Sequence, residues 1–341
     1  MANTSQPSLA NQTTAVLGAG AWGTALGLVL SRKGIPTYLW GHDPSEVERL
    51  QRDREHKAYL PGHPFPDCLM PDFDLAKIIA ASKQILLAVP SHGFRSALTA
   101  LRPLLNAEHK IVWATKGIET GTGLLMHQVF AEVLSNLQIP TILSGPSFAT
   151  EVAKGLPTAV TLASPDETRA KFFAEHFHTE TFRTYVSQDI IGVELGGAVK
   201  NILAIASGIA DGLGFGANSR AALITRGLAE LIRLGVAMGG KQETLMGLAG
   251  VGDLILTCTD NQSRNRRFGL AIAKGLSVEQ ALLSVGQVVE GYKTAEVVVM
   301  LAKQWQIDMP IVQQTYQILF QGVNPKAAVT ALLSRQLRAE S

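Results

Sequence analysis

Three observations predict the fold class: an α/β N-terminal domain with a mostly parallel sheet, followed by an all-α C-terminal domain. Up to residue 191, short β-branched runs alternate with helical patterns, which implies a parallel sheet covered on both faces. Past that point the strand signals stop, and the chain reads as helices joined by glycine-rich turns. The length of 341 residues exceeds one ordinary core and suits two domains. These shifts divide the chain into a polar tail over 1–12, the α/β domain over 13–191 and a helical, substrate-binding domain over 192–341.

Composition narrows the function classes. Hydrophobic residues make up 46% and charged residues 17%, the balance of a packed globular protein. A formal net charge of +2 gives no footing for nucleic acid or an anionic membrane, so any basic site must be local. The tail lacks the charged-then-apolar order of a secretory signal, and no apolar run reaches the roughly 20 residues that span a bilayer. Cys68 and Cys258 match no metal or redox spacing, so no metal is expected, and a reducing cytoplasm suits them.

The elements follow in order. Thr13–Leu17 is a strand, and Gly18-Ala19-Gly20-Ala21-Trp22-Gly23 succeeds it at once. Thr24–Ser31 continues as a helix that Lys33-Gly34 stops. Strand, G-x-G-x-x-G and helix in that order make the dinucleotide-binding turn of a Rossmann-like domain. Gly18 serves the tight turn, Gly20 lets the backbone approach a pyrophosphate, and Gly23 lets helix and sheet pack closely. The helix N-terminus offers amides and a positive dipole end to the phosphates.

Pro36–Trp40 is the second strand, after which an acidic residue would take the ribose 2′-hydroxyl of NAD. Gly41-His42-Asp43 stands there instead. His42, with Arg52 or Arg54 nearby, suits the 2′-phosphate of NADP, while Asp43 reaching the ribose is the alternative. The cofactor expected is NADP or NAD, with NADPH favoured.

Gln84–Val89, Lys110–Thr115, Thr141–Ser144, Ala159–Ala163 and Phe182–Val186 are further strands, with helices such as Gly123–Leu137 and Asp166–Phe177 between them. Ligands bind beyond the carboxyl ends of such strands. That singles out Lys116 and the run Gly145-Pro146-Ser147-Phe148-Ala149, with Ser147 as a hydrogen-bond donor.

In the second half, Gly192–Asp211 reads as one helix, apolar nearly all round, with Lys200 and Asn201 at its centre. A lysine there either snorkels its ammonium outward or belongs to a site. Asp253 and Thr257 are four apart and share a face of a short helix. A helix-start position favoured by the dipole would account for Asp253 equally well. Asn261 to Arg267 packs three arginines beside polar amides at a helix start, which suits a phosphate or carboxylate, or else forms a solvated basic turn.

Taken together, the segments Gly18–Ala25, Trp113–Gly117, Gly145–Ala149, Gly197–Asn201, Thr225–Glu230, Gly250–Thr257, Asn261–Gly269 and Val288–Tyr292 closely resemble the bacterial NAD(P)-dependent glycerol-3-phosphate dehydrogenases. The likeness covers nearly the whole chain. It implies an oxidoreductase acting on a CH–OH group, by reversible hydride transfer. Its physiological task would be reduction of dihydroxyacetone phosphate to sn-glycerol 3-phosphate for phospholipid synthesis. A cytoplasmic homodimer with no membrane span is implied too.

By the same likeness Lys200 is the general acid/base, with Lys116 and Asp253 beside it in the catalytic set. Lys116, Gly145, Ser147, Lys200, Asn201, Asp253, Thr257, Ser263, Arg264 and Asn265 contact the substrate. The cofactor site is lined by Gly18, Gly20, Ala21, Trp22, Gly23, His42, Lys116, Ala149, Arg264, Val288 and Glu290. Many relatives carry an arginine near the end of the second strand; Gly41-His42 in its place points to dual use of NAD and NADP. Burial and a second cation would lower the lysine pKa from about 10.4, and Asp253 would oppose them; Lys200 is expected to titrate below its free value. Dehydrogenases of the 6-phosphogluconate or 3-hydroxyacid type are the rivals among enzymes, and a redox-sensing module is the rival outside them.

Overall fold

The computed structural model describes residues 13–135 and 138–334. The expected tail over 1–12, and the end of the helix expected to reach Leu137, lie outside the described residues. The chain forms two compact units. Among the described residues, one holds those up to Lys116 together with those of Met126–Ile190; the other holds Gly117–Leu125 and those from Ile191 onward. The return of Gly117–Leu125 to the helical unit is marked by no shift in composition.

The first unit is built on eight strands: β1 (Thr14–Leu17), β2 (Thr37–Trp40), β3 (Leu69–Asp72), β4 (Gln84–Leu87), β5 (Lys110–Trp113), β6 (Ile142–Ser144), β7 (Thr158–Ala163) and β8 (Phe182–Ser187). They lie in the order β3-β2-β1-β4-β5-β6-β7-β8. Every pair is parallel except β6 with β7, so the sheet is mostly parallel as expected. The order reverses between β1 and β4, the switch point where such sheets hold ligands. Helices α1 (Ala21–Arg32), α2 (Pro44–Asp53), α3 (Leu75–Ala81), α4 (Phe94–Leu101), α5 (Met126–Leu134), α6 (Ala149–Lys154) and α7 (Glu167–Phe177) connect the strands. All four residues of β1 and of β4 are buried, the mark of central strands covered on both faces. The sequence gives no strand signal for β3, which is short, lies at the sheet edge and contains Pro71, a residue that only an edge strand tolerates.

The second unit is helical: α8 (Ile190–Gly212), α9 (Ala217–Ala237), α10 (Gln242–Leu245), α11 (Asp253–Thr259), α12 (Arg264–Ala273), α13 (Val278–Val285), α14 (Glu290–Gln304), α15 (Pro310–Gln321) and α16 (Pro325–Leu333). Helix α8 is long and apolar enough to cross a membrane, yet 94% of its most apolar window is buried inside the protein. It is the core helix of its unit, with Val199, Ile202, Leu203 and Ile205 all fully covered.

Small residues let its neighbours come close. A Cβ on Gly208 would stand 2.1 Å from the Arg266 carbonyl oxygen, and one on Gly269 would stand 2.1 Å from that of Ile205, so α8 and α12 touch backbone to backbone. A Cβ on Gly196 would stand 2.3 Å from the Ala249 carbonyl, which seats the turn before α11 against α8, one helical turn from Lys200.

Candidate active site

The glycine-rich turn has the division of labour that its spacing predicts. Gly18 has φ +115, a conformation that disfavours side chains, and its Cβ would lie 2.8 Å from the Ala88 carbonyl. A Cβ on Gly23 would sit 1.9 Å from the Gly18 carbonyl oxygen. One on Gly20 would meet nothing within 4 Å, so the backbone is bare on that side. The first intrahelical bond of α1 runs from Thr24 N to Gly20 O at 2.9 Å, and Gly20 supplies no side-chain cap. The amides of Ala21, Trp22 and Gly23 therefore have no acceptor within the helix. Trp22 Nε1 is buried with no hydrogen-bond partner among the described residues. A bare turn, uncommitted helix amides and a positive dipole end fit a pyrophosphate.

Beyond β2, His42 is exposed. The Asp43 carboxylate accepts from Ser45 N at 2.9 Å and caps α2. Arg54, one of the two arginines read beside His42, donates instead to the carbonyls of Leu69 at 2.9 Å and Pro66 at 2.7 Å. Arg52 lies against Asp53 at 2.9 Å. Arg54 is thus a strut of its loop.

At the strand ends, the Lys116 ammonium donates to the Gly145 carbonyl at 2.9 Å, and the Ser147 hydroxyl donates to the same oxygen at 3.0 Å. Three of the expected residues are thereby gathered at the ends of β5 and β6. Gly145 is held at φ +144, where a Cβ would stand 3.0 Å from the Val160 Cα, and Ala149 opens α6 half-buried.

In the helical unit Lys200 does not snorkel. It is 7% exposed, and its ammonium donates to Asp253 Oδ1 at 2.5 Å and to Thr257 Oγ1 at 3.0 Å. Asp253 is 1% exposed and opens α11, directly after a π-helical turn over Leu248–Gly252. Both explanations for Asp253 therefore hold: it stands at a helix start and it pairs with the lysine. The Thr257 hydroxyl donates back to the Asp253 carbonyl at 2.6 Å, which turns its lone pairs toward Lys200. The three groups form one hydrogen-bonded cluster, and π-turns of this kind recur at functional sites.

A second cluster surrounds Asn201. Asn265 Nδ2 donates to Asn201 Oδ1 at 2.9 Å, and Asn265 Oδ1 accepts from Gly291 N at 2.9 Å. The Asn265 amide thus ties α8, α12 and α14 together, with Glu290 half-buried beside Gly291 and Val288 45% exposed just before it. The Ser263 hydroxyl caps α12, accepting from Arg266 N at 3.2 Å. The arginines of this turn divide. Arg264 and Arg267 are exposed, whereas Arg266 is buried and donates to Cys258 O, to Asn261 Oδ1 and to Asp211 Oδ2 at 3.0, 2.7 and 2.5 Å. Arg266 holds the turn, and no local pattern separates it in sequence from its neighbours.

The chain matches two family models, the NAD-dependent glycerol-3-phosphate dehydrogenase N-terminus over residues 13–170 and its C-terminus over residues 189–330. It is 53% identical over 330 residues to glycerol-3-phosphate dehydrogenase [NAD(P)+] of Nitrosococcus oceani, covering 97% of this chain and 96% of that one. The enzyme of the same name from Pasteurella multocida is 49% identical over 98% of this chain and 99% of its own. The crystal structure of glycerol-3-phosphate dehydrogenase from Coxiella burnetii superposes with a TM-score of 0.92 at 48% identity, over 95% of this chain and 99% of that chain. The chain belongs to the NAD-dependent glycerol-3-phosphate dehydrogenase family and is an NAD(P)-dependent oxidoreductase acting on a CH–OH group.

Proposed function

We propose that the chain reduces dihydroxyacetone phosphate to sn-glycerol 3-phosphate for phospholipid synthesis, reversibly, with Lys200 as the general acid/base. The observation that carries this reading is the buried Lys200 ammonium held between Asp253 and Thr257. A lysine so desolvated has little structural purpose that an apolar residue would not serve better.

Bound NADPH or NADH supplies the hydride. As the C2 carbonyl carbon accepts it, negative charge develops on the C2 oxygen. Lys200 stabilises that charge and gives the oxygen a proton; in the reverse direction neutral Lys200 takes the C2 hydroxyl proton. Asp253 and Thr257 fix the direction of the Lys200 Nζ–H bonds, so the proton is delivered without a conformational search. Arg264 and the first amides of α12 bind the substrate phosphate. Fixing that remote group lowers the entropic barrier at C2. Lys116 and Ser147, both on the Gly145 carbonyl, orient the substrate, and Asn201 and Asn265 shape its site. The amides of α1 take the cofactor pyrophosphate, with His42, Ala149, Val288 and Glu290 lining the rest of its site. We place the enzyme in the cytoplasm as a homodimer.

A substrate screen tests the assignment. Consumption of NADPH on adding dihydroxyacetone phosphate, with none on adding 6-phosphogluconate, is the expected result; the opposite pattern would reverse it.

A further inference from the structure

We propose that His56 is a positioning residue for the cofactor: it holds the carbonyl of Ala19, inside the glycine-rich turn, and so aims the Gly20 amide at the pyrophosphate. This rests on the reading that the turn binds a dinucleotide. His56 lies 37 residues from Ala19 in sequence, in the loop after α2, and is 2% exposed. Its Nε2 is 2.9 Å from the Ala19 carbonyl oxygen. That oxygen only accepts, so Nε2 carries the hydrogen. The ring is fixed from several sides. Tyr59 packs on it at 4.6 Å between centroids, the Glu46 carboxylate of α2 lies 3.5 Å from Nε2, and the His56 carbonyl accepts from Leu60 N at 2.8 Å. Burial pushes the imidazole pKa below its ordinary value, against the opposing pull of Glu46, so the ring is neutral at neutral pH.

The effect on the cofactor follows from the planar trans peptide. The Ala19 C=O and the Gly20 N–H belong to one rigid unit and point in opposite directions. A donor that captures the carbonyl therefore sets the amide. The Thr24 hydroxyl reaches the same carbonyl more loosely, at 3.4 Å. Gly20 has no side chain to restrain this peptide from its other end. Without His56 the peptide is free to rotate, and an amide that faces the phosphate becomes one orientation among several. Glu46 also links the strut to α2, the helix that follows His42, so the pyrophosphate turn and the adenosine-ribose end of the site share one support.

The test is NADPH titration of the full-length protein, followed by fluorescence, with steady-state kinetics alongside. His56→Leu, which fills the space and cannot donate, is expected to weaken NADPH about tenfold, the scale of one lost hydrogen bond with its partner left unsatisfied. KM for NADPH should rise with it, while kcat and KM for dihydroxyacetone phosphate stay within about twofold. His56→Gln, which restores an N–H donor, should recover most of the affinity. A folded His56→Leu protein that binds NADPH like the wild type, or like His56→Gln, overturns the proposal. Gly20→Asp separates this from failure of the underlying reading. Its side chain has open space, so the fold should persist, but a carboxylate there should abolish NADPH binding. If Gly20→Asp binds normally, the turn does not hold the cofactor and both ideas fall. Ring-nitrogen NMR of the wild type needs no variant: neutral Nε2–H is expected, and an Nδ1–H tautomer, which cannot donate to Ala19, overturns the proposal.

Discussion

A lysine survives in the middle of an apolar helix when its charge is answered inside the fold. Lys200 meets that condition through a carboxylate and a hydroxyl brought from α11, not from its own helix. The local pattern marked Lys200 as anomalous, and only the family likeness put Asp253 beside it, because ion pairs between residues 53 apart leave no local trace. His42 shows the same limit from the other side. Its place after β2 was legible, but the engagement of Arg54 with the carbonyls of Phe65, Pro66 and Leu69 was not. His42 is exposed, and on the proposed 2′-phosphate role His42→Ala should raise KM for NADPH several-fold more than KM for NADH. Equal changes for both cofactors in parallel kinetics would remove the 2′-phosphate from its role.

Among the elements, two contacts govern the helical unit. The first is the crossing of α8 and α12, where Gly208 and Gly269 each face a backbone carbonyl at distances no Cβ tolerates. Gly269→Ala should force the helices apart at a cost of about 1–3 kcal/mol, the usual range for overpacking. Denaturant unfolding measures this, and unchanged stability would mean that the crossing is looser than described. The second is the start of α15, where Pro310 opens the helix and the amides of Ile311 and Val312 donate to the two oxygens of Glu230 at 2.7 and 3.2 Å. Burial raises the Glu230 pKa from 4.5 to about 7, outweighing the backbone bonds that lower it. A raised carboxyl pKa means that the folded state binds more protons than the unfolded state between those values. The Glu230 contribution is therefore full below about pH 4.5 and is lost as pH rises through about 7. The stability of the wild type relative to Glu230→Gln should fall across that window in pH-resolved thermal unfolding. A difference that grows with pH would contradict the assignment. The sequence gives no sign of this cap, because a glutamate serving a helix 81 residues away looks like any other polar residue.

For the molecule as a whole, periodicity carried most of the architecture. Buried β-branched runs such as β1 and β4 announced a parallel sheet, and the loss of those runs announced helices. What it missed had little hydrophobic signal to read: the proline-bearing edge strand β3, and the segment Gly117–Leu125 that joins the helical unit. The glycine turn was legible because it is a local geometry with a fixed spacing. Its support by His56 was not, since that contact is made only when the chain has folded. The proposed chemistry rests on Lys200, so the most direct measurement is the rate of NADPH oxidation with dihydroxyacetone phosphate for Lys200→Ala against the wild type, both shown to be folded and to bind NADPH. The account predicts a loss of turnover of about 10²-fold or more, and turnover near that of the wild type would contradict it.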